Sequence, residues 1–181
     1  MGAGGNGSNE AIASATATAT ATDAEGRHMD LILWRHAEAE DAPDGGEDVD
    51  RPLTSRGEKQ AARMAAWLDR QLPEGLRVLV SPARRTEETA RALGRKYKLR
   101  AELLPGGLVE DLLELAQWPK SRGAVLVIGH QPMLGETAAR LLGMTASQCS
   151  IRKGSVWWLR HRSRLEQEET ILLSVQSPDF L

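Results

Sequence analysis

Cysteine occurs once in these 181 residues, at Cys149, so no disulfide can close within the chain and a reducing compartment suits it. Neither sign of charge is in excess. The 23 Lys and Arg face 25 Asp and Glu, for a formal charge of −2. Without a global attraction to nucleic acid or to an anionic membrane, any anion binding must come from a local cluster. No apolar run approaches the roughly 20 residues a membrane span needs. The N-terminus lacks the basic-then-apolar order of a secretory signal. There is no Walker A loop. The histidines do not fall at metal-ligand spacings with one another or with cysteine, so no metal and no cofactor is expected. Ser155 stands where a phosphatase loop built on Cys149 would need arginine. A soluble cytoplasmic protein of one domain is the expectation.

Residues 1–28 differ from everything after them. Gly2-Ala3-Gly4-Gly5 is followed by alternating Ala and Thr from Ala15 to Thr22, with almost no large apolar side chain. Such a stretch cannot bury enough surface to offset its ordering entropy, so a disordered leader is expected there and a folded domain over 29–181, with Met29 a natural start. Gly2-x-Gly4-x-x-Gly7 has no strand before it and is not a dinucleotide fingerprint.

From Asp30 onward apolar runs alternate with amphipathic stretches, the pattern of an α/β domain. Leu31 to Trp34, Arg77 to Val80 and Ala124 to Ile128 read as buried strands, and Lys98 to Leu104 as a short one. Two terminal strands, Ser155 to Arg160 and Thr170 to Val175, read as joined by a charged turn. Ser55-x-x-Glu58 resembles a capping box opening a helix that carries Ala61, Met64, Ala65, Leu68 and Leu72 on one face. Ser81 and Pro82 suit the N-cap and first residue of a second helix bearing Thr86, Thr89 and Ala90. Helices are also expected over Leu108 to Trp118 and Met133 to Leu142. The sum is a three-layer α/β/α sandwich with a mostly parallel sheet of five or six strands and about four helices.

Three of these strands end on residues with chemistry. The first runs into Arg35-His36, the second into Ser81-Pro82-Ala83-Arg84-Arg85, and the third into Gly129-His130-Gln131-Pro132. In an open α/β sheet the ligand lies outside the carboxyl ends of the strands. Cationic side chains delivered there imply an anion. A neutral imidazole is a competent nucleophile toward phosphorus without a metal, and a neighbouring guanidinium keeps its pKa from rising. Gly129 permits close backbone approach, and the helix expected after Pro132 would aim its amides at the same place. Arg84 and Arg85 lie in a first helical turn, where a cation opposes the helix dipole. A phosphate clamp explains that placement, and pairing of Arg84 with Glu87 or Glu88 on a solvated face is the plainer account for Arg84. The acidic stretch with Asp44, Glu47, Asp48 and Asp50 reads as a solvated loop. Arg160, His161, Arg162 and Arg164 fit alternation in a hairpin better than a nucleic-acid surface.

Arg35-His36-Ala37, Ser81-Pro82-x-x-Arg85-x-x-x-Thr89 and Gly129-His130 together resemble the histidine phosphatase superfamily, the phosphoglycerate mutase-like or RHG family. The segment Asp50-Arg51-Pro52-Leu53-Thr54-x-x-Gly57 and Pro105-Gly106-Gly107 are similar to its SixA-type phosphohistidine phosphatase branch. The resemblance spans Met29 to about Ser177. It implies His36 as a nucleophile that becomes phosphorylated, with Arg35, Arg85 and His130 on the phosphoryl oxygens and Gly129 beside them. Ala37 replaces the glycine of the first motif, and Gln131 stands where asparagine is frequent.

Larger members of the family take a proton donor from between the second arginine and the second histidine. Here that interval offers Glu102, Glu110 and Asp111, and no motif selects one. A phosphoramidate needs less help, because its leaving imidazole is readily protonated. The expectation is therefore a metal-independent phosphatase acting on phosphohistidine in a protein such as a phosphorelay domain, with neither nucleic acid nor membrane as partner. A small-molecule phosphomonoesterase and a catalytically weak phospho-binding module are the rival readings.

Overall fold

The computed structural model describes residues 1, 27–42, 44–164 and 167–181. The leader expected over 1–28 lies outside the described residues, apart from Met1 and from Arg27 and His28, which open the first strand.

Six strands form one sheet: β1 (Arg27–Arg35), β2 (Arg77–Val80), β3 (Lys98–Leu99), β4 (Gly123–Gly129), β5 (Val156–Arg164) and β6 (Gln167–Gln176). Their order is β3-β2-β4-β1-β5-β6. The first four in that order run parallel, and β5 and β6 close the other edge as an antiparallel hairpin. Four α-helices are described: α1 (Ser55–Asp69), α2 (Arg84–Ala92), α3 (Val109–Ala116) and α4 (Met133–Leu141). They occupy both faces, as the alternation of side chains along a strand requires. Ile32 and Trp34 of β1 point to one side, into a core with Met64 and Leu68 of α1 and Ala90 of α2. Leu31 and Leu33 point to the other, against Leu112 of α3 and Leu134 and Ala138 of α4. Strands buried on both faces explain why the sequence runs apolar without a break at Leu31 to Trp34 and Val125 to Ile128. The expected three-layer sandwich is the arrangement found.

Some boundaries differ from the sequence reading. The cap of α1 is Thr54, whose hydroxyl oxygen accepts from the Gly57 amide at 2.9 Å. Thr54 is also held by Glu38, through Thr54 N to Glu38 O at 3.0 Å and Thr54 Oγ1 to Glu38 Oε1 at 2.9 Å. That tie to the chain leaving β1 moves the helix start back by one residue. The third strand is shorter than expected, because after Leu99 the chain turns through Ala101–Leu103 to bury Leu103 against the second core. The terminal strands are longer than expected. Their charged residues are paired within the sheet region: Arg160 with the buried Asp30 at 2.6 and 2.8 Å, and Arg162 with Glu169.

Gly57 allows α1 to meet the segment after β1. A Cβ at this position would lie 1.9 Å from the Glu38 carbonyl oxygen, a backbone atom that cannot swing aside. Gly57→Ala is therefore expected to cost at least the roughly 1–3 kcal/mol typical of overpacking. The same strain would displace Glu38, two residues beyond His36, so activity should fall along with the denaturation midpoint. Chemical denaturation and a rate measurement on one preparation check both.

Candidate active site

Strands β2, β4 and β1 are neighbours at the centre of the sheet, with Arg35 of β1 in register with Gly129 of β4. Their carboxyl ends deliver His36, Ser81 and His130 to one place. The His36 amide donates to the Gly129 carbonyl at 3.1 Å, and the Ser81 amide to the Ile128 carbonyl at 3.0 Å, so the exit of each strand is pinned to its neighbour. The imidazoles of His36 and His130 lie with ring centroids 5.2 Å apart, tilted by 53°. Both are buried, at 6% and 3% exposure.

Hydrogen bonds fix the tautomers. Nδ1 of His36 lies 2.7 Å from the Ala37 carbonyl, which can only accept, so Nδ1 carries the proton and Nε2 keeps its lone pair. Arg85 Nη2 lies 3.3 Å from His130 Nδ1 and can only donate, so His130 bears its proton on Nε2 and gives it to Ser81 Oγ at 2.8 Å. Burial pushes His36 down to about 3, with Arg85, Arg35 and Lys153 adding to the effect and the Ala37 hydrogen bond opposing it. Burial also brings His130 to about 3, reinforced by His36 and Arg85 and opposed by Asp48. Both rings are neutral at pH 7.

Arg85 is buried in the first turn of α2, while Arg84 beside it is exposed and pairs with Glu88 at 2.8 Å. Placing a guanidinium in that turn opposes the helix dipole, and the structure compensates with Asp48. Arg85 Nη1 donates to the Asp48 carbonyl at 2.6 Å and Nη2 to its carboxylate at 2.8 Å. Arg35 is half-buried and donates through Nη1 to the Ile151 carbonyl at 2.7 Å. The Nε–H groups of Arg35 and Arg85 are buried without an acceptor among the described residues. Unpaired buried donors are costly, and a tetrahedral oxyanion supplies the acceptors they lack. Among the described residues no group of three His, Cys, Asp or Glu side chains could hold a metal ion.

Thr89 links helix to site: its hydroxyl donates to the Arg85 carbonyl at 2.7 Å and accepts from the Ala37 amide at 3.1 Å. Ser81, read as a cap, instead holds His130, and α2 starts at Arg84. Gln131 does not face the histidines. It staples α4 to the following loop through Gly135 N and Cys149 O, both at 2.8 Å. Gly129 is not forced by crowding, since an added Cβ would make only ordinary contacts, with Leu134 at 3.5 Å and Met133 at 3.8 Å.

The three candidate proton donors are placed elsewhere. Glu110 is exposed and paired with Arg140 in the last turn of α4, at 2.5 Å. Glu102 and Asp111 line a surface groove with Arg77, Arg100 and Glu114, a lining that includes neither His36 nor His130. The carboxylate that does reach the cluster is Asp48, which composition alone marks as one more acid in a solvated loop. Its one sequence signal is its place three residues before Arg51, whose Nη1 it binds at 2.9 Å.

Set against known proteins, the sequence profile described as histidine phosphatase superfamily (branch 1) matches residues 31–110. The phosphohistidine phosphatase SixA of Escherichia coli K12 is 38% identical over 122 residues, 62% of this chain and 74% of that protein. The chain belongs to the histidine phosphatase superfamily, in its SixA-type branch. Another relative within reach of this histidine phosphatase is an uncharacterised protein of Picosynechococcus sp. strain PCC 7002, 34% identical over 163 residues, 84% of this chain and 99% of the relative. A solved structure of the protein histidine phosphatase SixA complexed with tungstate superposes with a TM-score of 0.69 at 28% identity, covering 84% of this chain and 99% of that one. The expected phosphatase activity thus has support from sequence and fold together. No helix among the described residues is long and apolar enough to cross a membrane.

Proposed function

We propose that this histidine phosphatase removes the phosphoryl group from phosphohistidine in a protein, through a covalent phosphohistidine on Nε2 of His36. The observation that carries this reading is the state of His36: neutral, with Nδ1–H committed to Ala37 and Nε2 free. In the first step Nε2 forms a bond to phosphorus as the P–N bond to the substrate imidazole breaks, and that imidazole leaves with a proton from water. Water then attacks the phosphorus, giving inorganic phosphate and returning the electron pair to His36. Arg35 and Arg85 supply fixed positive charge where negative charge develops in an in-line phosphoryl transfer.

Access and acid supply support this substrate class. Arg35 borders an open surface groove of about 540 Å³ with Gln131, Pro132, Gln148, Cys149 and Ser150, wide enough for a residue presented by another protein. None of Glu102, Glu110 and Asp111 hydrogen-bonds to His36 or His130 among the described residues. An alkoxide leaving group, which benefits roughly 10²–10⁴-fold from a positioned acid, is served less well than an imidazole. The cytoplasm, where phosphorelay domains carry phosphohistidine, is the compartment this reading requires.

The test is hydrolysis of a phosphohistidine-bearing phosphorelay domain alongside a panel of alkyl phosphates, with and without a chelator. The expected result is turnover that favours phosphohistidine and persists in chelator. Preference for alkyl phosphates would move the small-molecule reading ahead, and loss of activity restored by a divalent ion would overturn metal independence.

A further inference from the structure

We propose that Asp48 is the positioning residue for Arg85: it grips the outer edge of the guanidinium and so presents the inner edge to the histidine pair. The inference rests on the phosphatase reading of the site.

A guanidinium has two edges suited to bidentate binding. One is made by Nη1 and Nη2, the other by Nη2 and Nε, which lie on the same side of the group. Asp48 spans the first, taking Nη1 with its backbone carbonyl at 2.6 Å and Nη2 with Oδ2 at 2.8 Å. The remaining Nη2 hydrogen goes to His130 Nδ1 at 3.3 Å. The second edge therefore adjoins the imidazoles, and its Nε–H is the buried donor without an acceptor. One residue thus occupies the edge remote from the histidines and leaves the Nε–H of the other edge for a phosphoryl oxygen.

Asp48 is itself held. It opens the turn Asp48–Asp50, and Arg51 binds its Oδ1 at 2.9 Å while donating through Nε to the Glu40 carbonyl. A second tether, Leu53 N to Glu88 Oε2 at 2.7 Å, fixes the same loop to α2 one turn beyond Arg85. The two carboxylate oxygens serve two different guanidiniums. An asparagine has a single acceptor oxygen and would aim its amide hydrogens at one of the arginines. The carboxylate is therefore required, and not merely a polar group of its size.

A double-mutant cycle tests this, using Asp48→Ala, Arg85→Lys and the pair, with an aryl phosphate ester as substrate and inorganic phosphate as competing inhibitor. Asp48→Ala is expected to lower kcat/KM about a hundredfold, the order seen when a catalytic group is misplaced by an ångström, and to weaken inhibition by phosphate. In the Arg85→Lys background the same change should alter kcat/KM by less than about twofold, because its effect passes through Arg85. Asp48→Asn, which keeps size and polarity, should fail to rescue. The Asp48 side chain is about half exposed, so melting temperatures should stay close to wild type. Losses that multiply across the cycle, full rescue by asparagine, or tighter phosphate binding in Asp48→Ala would each overturn the positioning role. An unimpaired Arg85→Lys enzyme would instead count against the phosphatase reading of Arg85.

Discussion

His36→Ala should abolish turnover, with a loss of roughly 10⁶ in kcat, the scale on which removing a nucleophile acts. A missing charge-stabilising donor costs less, about 2.7–4 kcal/mol in the barrier, so the Arg35 and Arg85 variants should retain measurable activity where His36→Ala does not. The side chain is buried and its Nδ1–H satisfies the Ala37 carbonyl at 2.7 Å, so alanine also leaves a small void and an unpaired acceptor. His36→Asn separates the two effects. Its amide nitrogen can still donate to Ala37, while nothing replaces the Nε2 lone pair. Both variants should be inactive, and asparagine should be the more stable in denaturant. Quenching the wild-type reaction should trap acid-labile phosphate on His36. A variant that keeps its rate would remove His36 from the mechanism.

Much of this site is legible in the sequence because its residues terminate strands. An apolar run that stops at Arg35-His36, another at Ser81-Pro82 and a third at Gly129-His130 announce both the sheet and the edge where the ligand belongs. The distinction between Arg84 and Arg85 is legible only through the motif count from Ser81. The structure gives its physical form, one guanidinium buried and the other on a solvated face.

What sequence reasoning misses depends on contacts between distant segments. Asp48 lies 37 positions from Arg85 in a stretch crowded with other acids, and nothing local separates it from Asp44, Glu47 or Asp50. Gly57 and Gly135 are needed because a Cβ would sit about 2 Å from the carbonyl oxygens of Glu38 and Cys149, partners that only tertiary packing supplies. The candidate proton donors depend on tertiary contacts too. Chain order puts Glu102, Glu110 and Asp111 between the second arginine and the second histidine, but Glu110 pairs with Arg140, and Glu102 and Asp111 line a groove that includes neither histidine.

Acid should destabilise the protein steeply, and the two imidazoles are the reason. In the unfolded chain a histidine titrates near its ordinary value of about 6.5, whereas in the folded protein His36 and His130 stay neutral down to about 3. Between those values the unfolded state binds more protons than the folded one, so unfolding becomes easier as pH falls. The stabilising contribution is complete above the unfolded pKa and is lost as pH drops toward the folded one. Each histidine contributes a slope approaching about 1.4 kcal/mol per pH unit, so the pair contributes roughly 3 kcal/mol per unit between pH 6 and 4. Set against a typical domain stability of about 5–15 kcal/mol, that slope is enough to bring acid unfolding into this range. Denaturant titrations at pH 7, 6, 5 and 4 should show it in the wild type, and His36→Asn/His130→Asn should show a much shallower dependence. Parallel curves for the two proteins would mean that the imidazoles titrate normally when folded. Inorganic phosphate should flatten the wild-type curve, because an anion beside the rings favours their protonated forms and binds only the folded state. The same burial that makes the fold acid-sensitive keeps a lone pair on His36 Nε2 when a phosphoryl dianion approaches, and that approach would otherwise draw a proton onto the nucleophile.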